Sequence, residues 1–192
     1  KQTIPGEILQ QFYKPEHRWL VYCEDQDQLS KVAEDLRSRR IEFDQYHSYM
    51  ESDRGAVLKK FASTGGVLVA IRCLDEGVDI PEITHAIIIA SSQNPRQFIQ
   101  RRGRVLRTSP GKSLAVIYDV LVEPPKGSPD ESDTANLIKT EIARALQFAE
   151  DSENPSVKFT LWDWASQLGI HDLGSAITGY LEEETNLEMN DA

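Results

Sequence analysis

The stretch from Pro95 to Lys112 carries Arg96, Arg101, Arg102, Arg104, Arg107 and Lys112 and not one carboxylate. Pro95 suits the first position of a helix. In a helix, Gln97, Gln100, Arg101 and Arg104 share one face, while Phe98, Ile99, Val105 and Leu106 share the other. The apolar face would dock on a core and the opposite face would present guanidinium groups side by side. Like charges at that spacing repel one another unless an anion lies opposite them. Arginine, with its planar fork, suits bidentate recognition of phosphate better than lysine does. The pattern therefore predicts a phosphate-facing helix.

A second group of chemically able residues precedes it. Val67–Pro81 reads VLVAIRCLDEGVDIP: an apolar run, then Asp75, Glu76, Gly77 and Asp79, closed by Pro81. Gly77 permits close backbone approach, and Asp79 can accept hydrogen bonds from a ribose hydroxyl or an arginine. Two other signals are set aside. Gly111-Lys112-Ser113 imitates the end of a phosphate-binding loop, but that loop needs a glycine where Leu106 stands, and here the segment leads into a strand. Val116–Asp119 imitates a magnesium-binding strand end, yet it follows only a few residues later. On this reading the 192 residues hold no phosphate cradle, no magnesium carboxylate and no metal site.

The elements that must position these groups alternate between two periods. Arg18–Cys23, Glu42–His47, Gly66–Ile71, Thr84–Ala90 and Ser113–Asp119 read as strands, the third and fourth apolar enough to be buried on both faces. Between them, Asp25–Arg40 repeats Leu29, Val32, Ala33 and Leu36 at helical spacing. Ser52 reads as the cap of a helix carrying Val57, Leu58 and Phe61 and stopped by Gly65-Gly66. Strand–helix alternation predicts right-handed crossovers and a mostly parallel sheet, with ligands off the carboxyl ends of the strands. Pro124–Pro129 then reads as a linker. Helices are expected at Asp133–Glu150, at Phe159–Leu168 and near Leu173–Leu181. Trp162 and Trp164 cannot share a helix face; either one packs on the core and the other marks an interface, or both are structural.

Charge is segregated. The net charge is −10, but residues 1–120 hold 17 Lys/Arg against 16 Asp/Glu, while residues 121–192 hold 4 against 15. The whole-chain balance thus hides a basic site. No run of eighteen apolar residues exists, which argues against a membrane span. Cys23, Cys73 and the four histidines (His17, His47, His85, His171) have no disulfide-framework or zinc spacing. An intracellular setting, cytoplasmic or with the chromosome in nucleoid or nucleus, is expected.

Taken together, LVYCED (Leu20–Asp25), YHSYMESDRGAVLKKF (Tyr46–Phe61), VLVAIRCLDEGVDIP and QRRGRVLR (Gln100–Arg107) resemble motif IV, the "HG…R…F" segment, motif V and motif VI of superfamily 2 helicases and translocases. The resemblance spans roughly residues 17–120 and points to the carboxyl-terminal RecA-like domain of such motors. Its wording is closest to the restriction- and repair-type branch that moves on duplex DNA.

This resemblance implies a three-layer α/β domain with a mostly parallel sheet and an appended carboxyl-terminal helical segment. Residues 1–16 would link to an amino-terminal motor domain, 17–124 would form the RecA-like domain, and 125–192 an acidic helical extension. Arg104 and Arg107 match the arginines that reach the γ-phosphate. Gln100, Arg101, Gly77 and Asp79 match the remaining nucleotide-side positions, and Arg54 matches an arginine near the nucleic-acid backbone. Ile71 departs from the pattern, standing where many members carry a phosphate-contacting threonine; Arg72 beside it is the expected substitute. The implied cofactor is ATP with Mg2+, the metal ligands lying on the amino-terminal domain, and the implied partners are that domain and nucleic acid, DNA in preference to RNA. The chain alone is expected to be inactive as an ATPase. A different class stays open: a non-catalytic binding or regulatory module that keeps the fold without a motor partner.

Overall fold

The computed structural model describes residues 2–50, 52–71, 83–89, 114–121, 131–150 and 152–174. These divide into two compact units, one up to Val120 and one from Leu121.

In the first unit, five parallel strands form one sheet: β1 (Arg18–Cys23), β2 (Asp44–Tyr46), β3 (Gly66–Ile71), β4 (His85–Ile88) and β5 (Val116–Asp119), in the order β2-β3-β1-β4-β5. β1 is central because its sequence is apolar on both faces and every residue from Trp19 to Cys23 is buried. Its alternate residues serve two cores. Leu20 and Tyr22 join Leu68, Ala70 and Ala86 on one face, covered by Phe61 of α3 (Arg54–Thr64). Trp19, Val21 and Cys23 join Val67, Val69 and Ile87 on the other, covered by Leu29, Val32 and Leu36 of α2 (Gln26–Ser38) and Leu9 of α1 (Ile4–Phe12). The result is the expected three-layer α/β arrangement.

The cores sit where sequence periodicity places them, but the boundaries contract. β2 extends only over Asp44–Tyr46 because, as the edge strand beside β3, it pairs at three positions. β4 and β5 pair with each other over four residues, from His85–Val116 to Ile88–Asp119. The α3 cap is Asp53, not Ser52: the Asp53 carboxylate accepts from the Gly55 amide at 2.8 Å. α2 is capped in the same way by Asp25, which accepts from the Gln28 amide. Gly65 ends α3 at φ +75, and a side chain there would press on the His17 carbonyl 3.1 Å away. The glycine lets helix turn into strand within one residue.

Residues 4–12, expected within a linker, instead form α1. Ile4, Ile8 and Leu9 pack on the α2-side core. The α1–α2 crossing is close enough at Gly6 that a β-carbon would collide with the side chains of Asp35 and Arg39. Arg39, oriented by the Asp35 carboxylate of its own helix at 2.8 Å, spans the crossing by donating to Gln10 of α1, with Glu7 nearby at 3.7 Å.

The second unit contains α4 (Glu131–Glu150) and α5 (Ser156–Gln167). Ile138, Ile142, Leu146 and Ala149 meet Leu161, Ala165 and Leu173 in a core of their own. α5 starts three residues before the expected Phe159 because Asn154 accepts from both the amide and the hydroxyl of Ser156. Trp164 packs on this core and Trp162 is 45% exposed, so the two divide as their spacing requires. Glu141 and Arg144 are buried together, Arg144 donating at 3.2 Å. The helix expected near Leu173–Leu181 lies almost wholly outside the described residues. Among these residues no helix is long and apolar enough to cross a membrane.

Candidate functional site at the carboxyl ends of the strands

All five strands are parallel, so their carboxyl ends share one edge of the sheet. The chain runs outward from β1 to β2, returns to β3 beside β1, then crosses to β4 on the other side of β1. That reversal makes the carboxyl end of β1 a topological switch point, the place where open α/β sheets bind ligands. Ile71 of β3 pairs with Cys23 and Ile88 of β4 pairs with Tyr22, so β3 and β4 end on either side of β1. The DEGVDIP segment follows β3 and the QRRGRVLR segment follows β4. The strands that precede both chemically able stretches thus end at the same edge.

Hydrogen bonds close the edge beside β1. Glu24 donates its amide to the Gln28 side chain at 2.8 Å, closing the β1–α2 turn. Beyond β2, His47 is buried, and Arg54 is the first residue of α3, its side chain exposed. Arg54 therefore lies at the carboxyl edge of the sheet. Ile71 packs on the α2-side core. Its departure from the threonine of the family pattern has a physical meaning here: the side chain serves the core. Arg72, Gly77, Asp79, Gln100, Arg101, Arg104 and Arg107 lie outside the described residues. Among the described residues no three His, Cys, Asp or Glu side chains gather in a way that could hold a metal ion.

One cluster that no sequence pattern signals lies at the opposite edge. His17 and His85 stack with ring centroids 4.0 Å apart, and Trp19 stacks on His85 at 4.3 Å. Thr84 ties the corner by accepting the Arg18 amide at 2.9 Å and bonding His85 Nδ1 at 2.9 Å. Tyr118 stacks on Trp19, and burial raises its phenol above the ordinary value. Burial, with the charges of His17 and Lys14, lowers the pKa of His85 to about 4. Because the cluster sits at the amino ends, its role is structural. The unfolded chain takes up this proton near pH 6.5 and the folded chain only near 4. Stability is therefore full above about pH 6.5 and falls as pH drops through that window. His85 is partly open to solvent, so the loss expected by pH 4 is about 1–2 kcal/mol rather than the full shift. Urea melts at pH 7 and pH 4.5 should show a smaller drop for His85→Gln than for the natural chain; an equal drop would assign the pH effect elsewhere.

Comparison with known proteins agrees with this architecture. The helicase conserved C-terminal domain matches residues 4–109. A DNA 3'-5' translocase, XPB2, of Sulfurisphaera tokodaii is 39% identical over 67 residues, covering 34% of this chain and 15% of the relative. DEAD-box ATP-dependent RNA helicase 22 of Arabidopsis thaliana is 28% identical over 102 residues, covering 53% of this chain and 18% of the relative. The chain thus spans less than a fifth of either protein. Among solved structures, the C-terminal domain of the DEAD-box protein Dbp5 matches with TM-score 0.51 and 16% identity, over 79% of this chain and 80% of that one. E. coli DEAD-box protein SrmB, solved bound to a regulator of ribonuclease activity, matches with TM-score 0.50 and 19% identity, over 73% and 78%. These two likenesses establish the sheet as RecA-like. With the family match extending over more than half its length, the chain belongs to the helicase conserved C-terminal domain family.

Proposed function

We propose that this chain is the carboxyl-terminal motor half of an ATP-dependent nucleic-acid helicase or translocase. The observation that carries this reading is that β3 and β4, which precede DEGVDIP and QRRGRVLR in the sequence, end at the same edge on either side of β1, in a chain of the helicase conserved C-terminal domain family. ATP with Mg2+ would lie between this edge and an amino-terminal domain that carries the phosphate loop and the metal carboxylates. Bound there, the nucleotide supplies the phosphoryl group whose transfer to water drives the motor. This chain's share is positional and electrostatic: Gly77 and Asp79 face the ribose side, Gln100 and Arg101 tie the cleft, and Arg104 and Arg107 meet charge building on the γ-phosphate. Arg54 and Arg72 would follow the nucleic-acid backbone. Nucleic acid is the partner, and the motif wording favours DNA, which places the protein inside the cell. The XPB2 relative is named for DNA and the Arabidopsis relative for RNA.

The half-site character is directly testable. These 192 residues contain no complete phosphate loop. Purified alone, they are expected to release no phosphate from ATP above background, whereas the full-length protein should do so in response to nucleic acid. Turnover by the chain alone that is abolished by Lys112→Ala would overturn the reading and make Gly111-Lys112-Ser113 a working phosphate loop.

A further inference from the structure

Tyr49 is the most exposed large apolar side chain among the described residues, at 81%. It is not the tip of a slack loop. Two residues earlier His47 is buried, and one residue later Met50 packs on the core beneath α3. The Met50 amide donates to the His47 carbonyl, and Asp53 fixes the start of α3 through the Gly55 amide. The turn is thus pinned on both sides, and it holds the phenol ring out into solvent.

Its place in the fold gives that ring a purpose. Tyr46 of β2 pairs with Ala70 of β3, so the turn after β2 stands at the carboxyl edge beside the end of β3, where the chain departs toward Arg72. Arg54 begins α3 five residues further on. From this position we infer that Tyr49 is a stacking platform for a base of single-stranded nucleic acid passing along the edge. This rests on the motor reading and adds to it a contact to the bases where Arg54 and Arg72 would serve the backbone. An aromatic face binds any base by stacking and so suits a motor that must pass every sequence. Because the turn that carries it is already pinned, binding orders the ring alone and not the backbone beneath it.

The test uses the full-length protein and two labelled strands, oligothymidine and an abasic strand of the same length, with binding followed by fluorescence anisotropy. Tyr49→Ala should weaken binding to oligothymidine by roughly 5- to 150-fold, the range of one lost stacked base. Tyr49→Phe, which keeps the ring, should bind like the natural protein. On the abasic strand the natural protein and Tyr49→Ala should be equal. If Tyr49→Ala binds oligothymidine normally, the inference fails and the motor reading stands. Equal weakening on both strands also overturns it, since the ring would then act on something other than a base, such as the docking of another protein segment. If the natural protein binds neither strand, the inference falls; the motor reading, which a duplex track also satisfies, then rests on ATP turnover stimulated by nucleic acid.

Discussion

In the full-length protein, Arg104→Ala and Arg107→Ala should each cut nucleic-acid-stimulated ATP turnover by roughly 10³- to 10⁵-fold while nucleotide affinity changes far less. The physical reason is the timing of charge. Negative charge accumulates on the γ-phosphate oxygens as the bond to the leaving group breaks, so a guanidinium aimed there binds the transition state more tightly than the ground state. That rate range corresponds to about 4–7 kcal/mol of barrier. Arg107→Lys should recover little, because a point charge on a flexible stem cannot reproduce the planar fork. Arg102 serves as the internal comparison. In the helical reading of Gln100–Arg107 it falls away from the face shared by Gln100, Arg101 and Arg104, so Arg102→Ala should change stability more than turnover. Steady-state kinetics and a nucleotide titration on each variant decide. Near-normal turnover in both Arg104→Ala and Arg107→Ala would remove the motif VI assignment and with it the main support of the motor reading.

How far the sequence reached depended on which interactions set each feature. Strands buried on both faces declare themselves, because β1, β3 and β4 need apolar residues at consecutive positions, and their registers follow from one parallel sheet. Helices with one buried face were equally plain: Leu29, Val32, Ala33 and Leu36 are the buried residues of α2, as their spacing requires. Boundaries were less legible because neighbours decide them. β2 is as long as its pairing with β3, and the choice of Asp53 over Ser52 as cap rests on which oxygen reaches the Gly55 amide. α1 went unread for a related reason: its Ile4, Ile8 and Leu9 make only two turns of apolar face, and their burial depends on α2 and on the small size of Gly6. The His17–His85 stack is a product of tertiary structure alone, created when β4 pairs beside β1. The candidate site divides along the same line. Wording at fixed order, DEGVDIP before QRRGRVLR, is a sequence property, whereas the exposure of Tyr49 depends on His47 and Met50 turning inward on either side of it.

The largest stability effect should come from Trp19, because it joins most of the α2-side core to the amino edge of the sheet. Its side chain is fully buried in the central strand, between Val67 on β3 and His85 on β4. It stacks on His85 at 4.3 Å and on Tyr118 at 5.7 Å, and Tyr118 in turn meets Phe12 of α1 at 5.9 Å. The indole nitrogen has no hydrogen-bond partner among the described residues, so truncation removes packing rather than a polar contact. Trp19→Ala deletes the whole ring from a site walled by β-strands, which cannot collapse to fill the gap. The cost expected for such a cavity is about 3–5 kcal/mol, a large part of the roughly 5–15 kcal/mol that holds a domain folded. Trp162→Ala is the matched control: the same side chain is lost, but from a half-exposed position on α5, and the expected change is within about 0.5 kcal/mol. Urea unfolding followed by circular dichroism avoids the confusion of removing a fluorophore. Trp19→Ala should lower the midpoint sharply at an unchanged slope, since the surface exposed on unfolding is nearly the same. A Trp19→Ala midpoint within error of Trp162→Ala would mean that the two-sided core around β1 is not what holds this unit together.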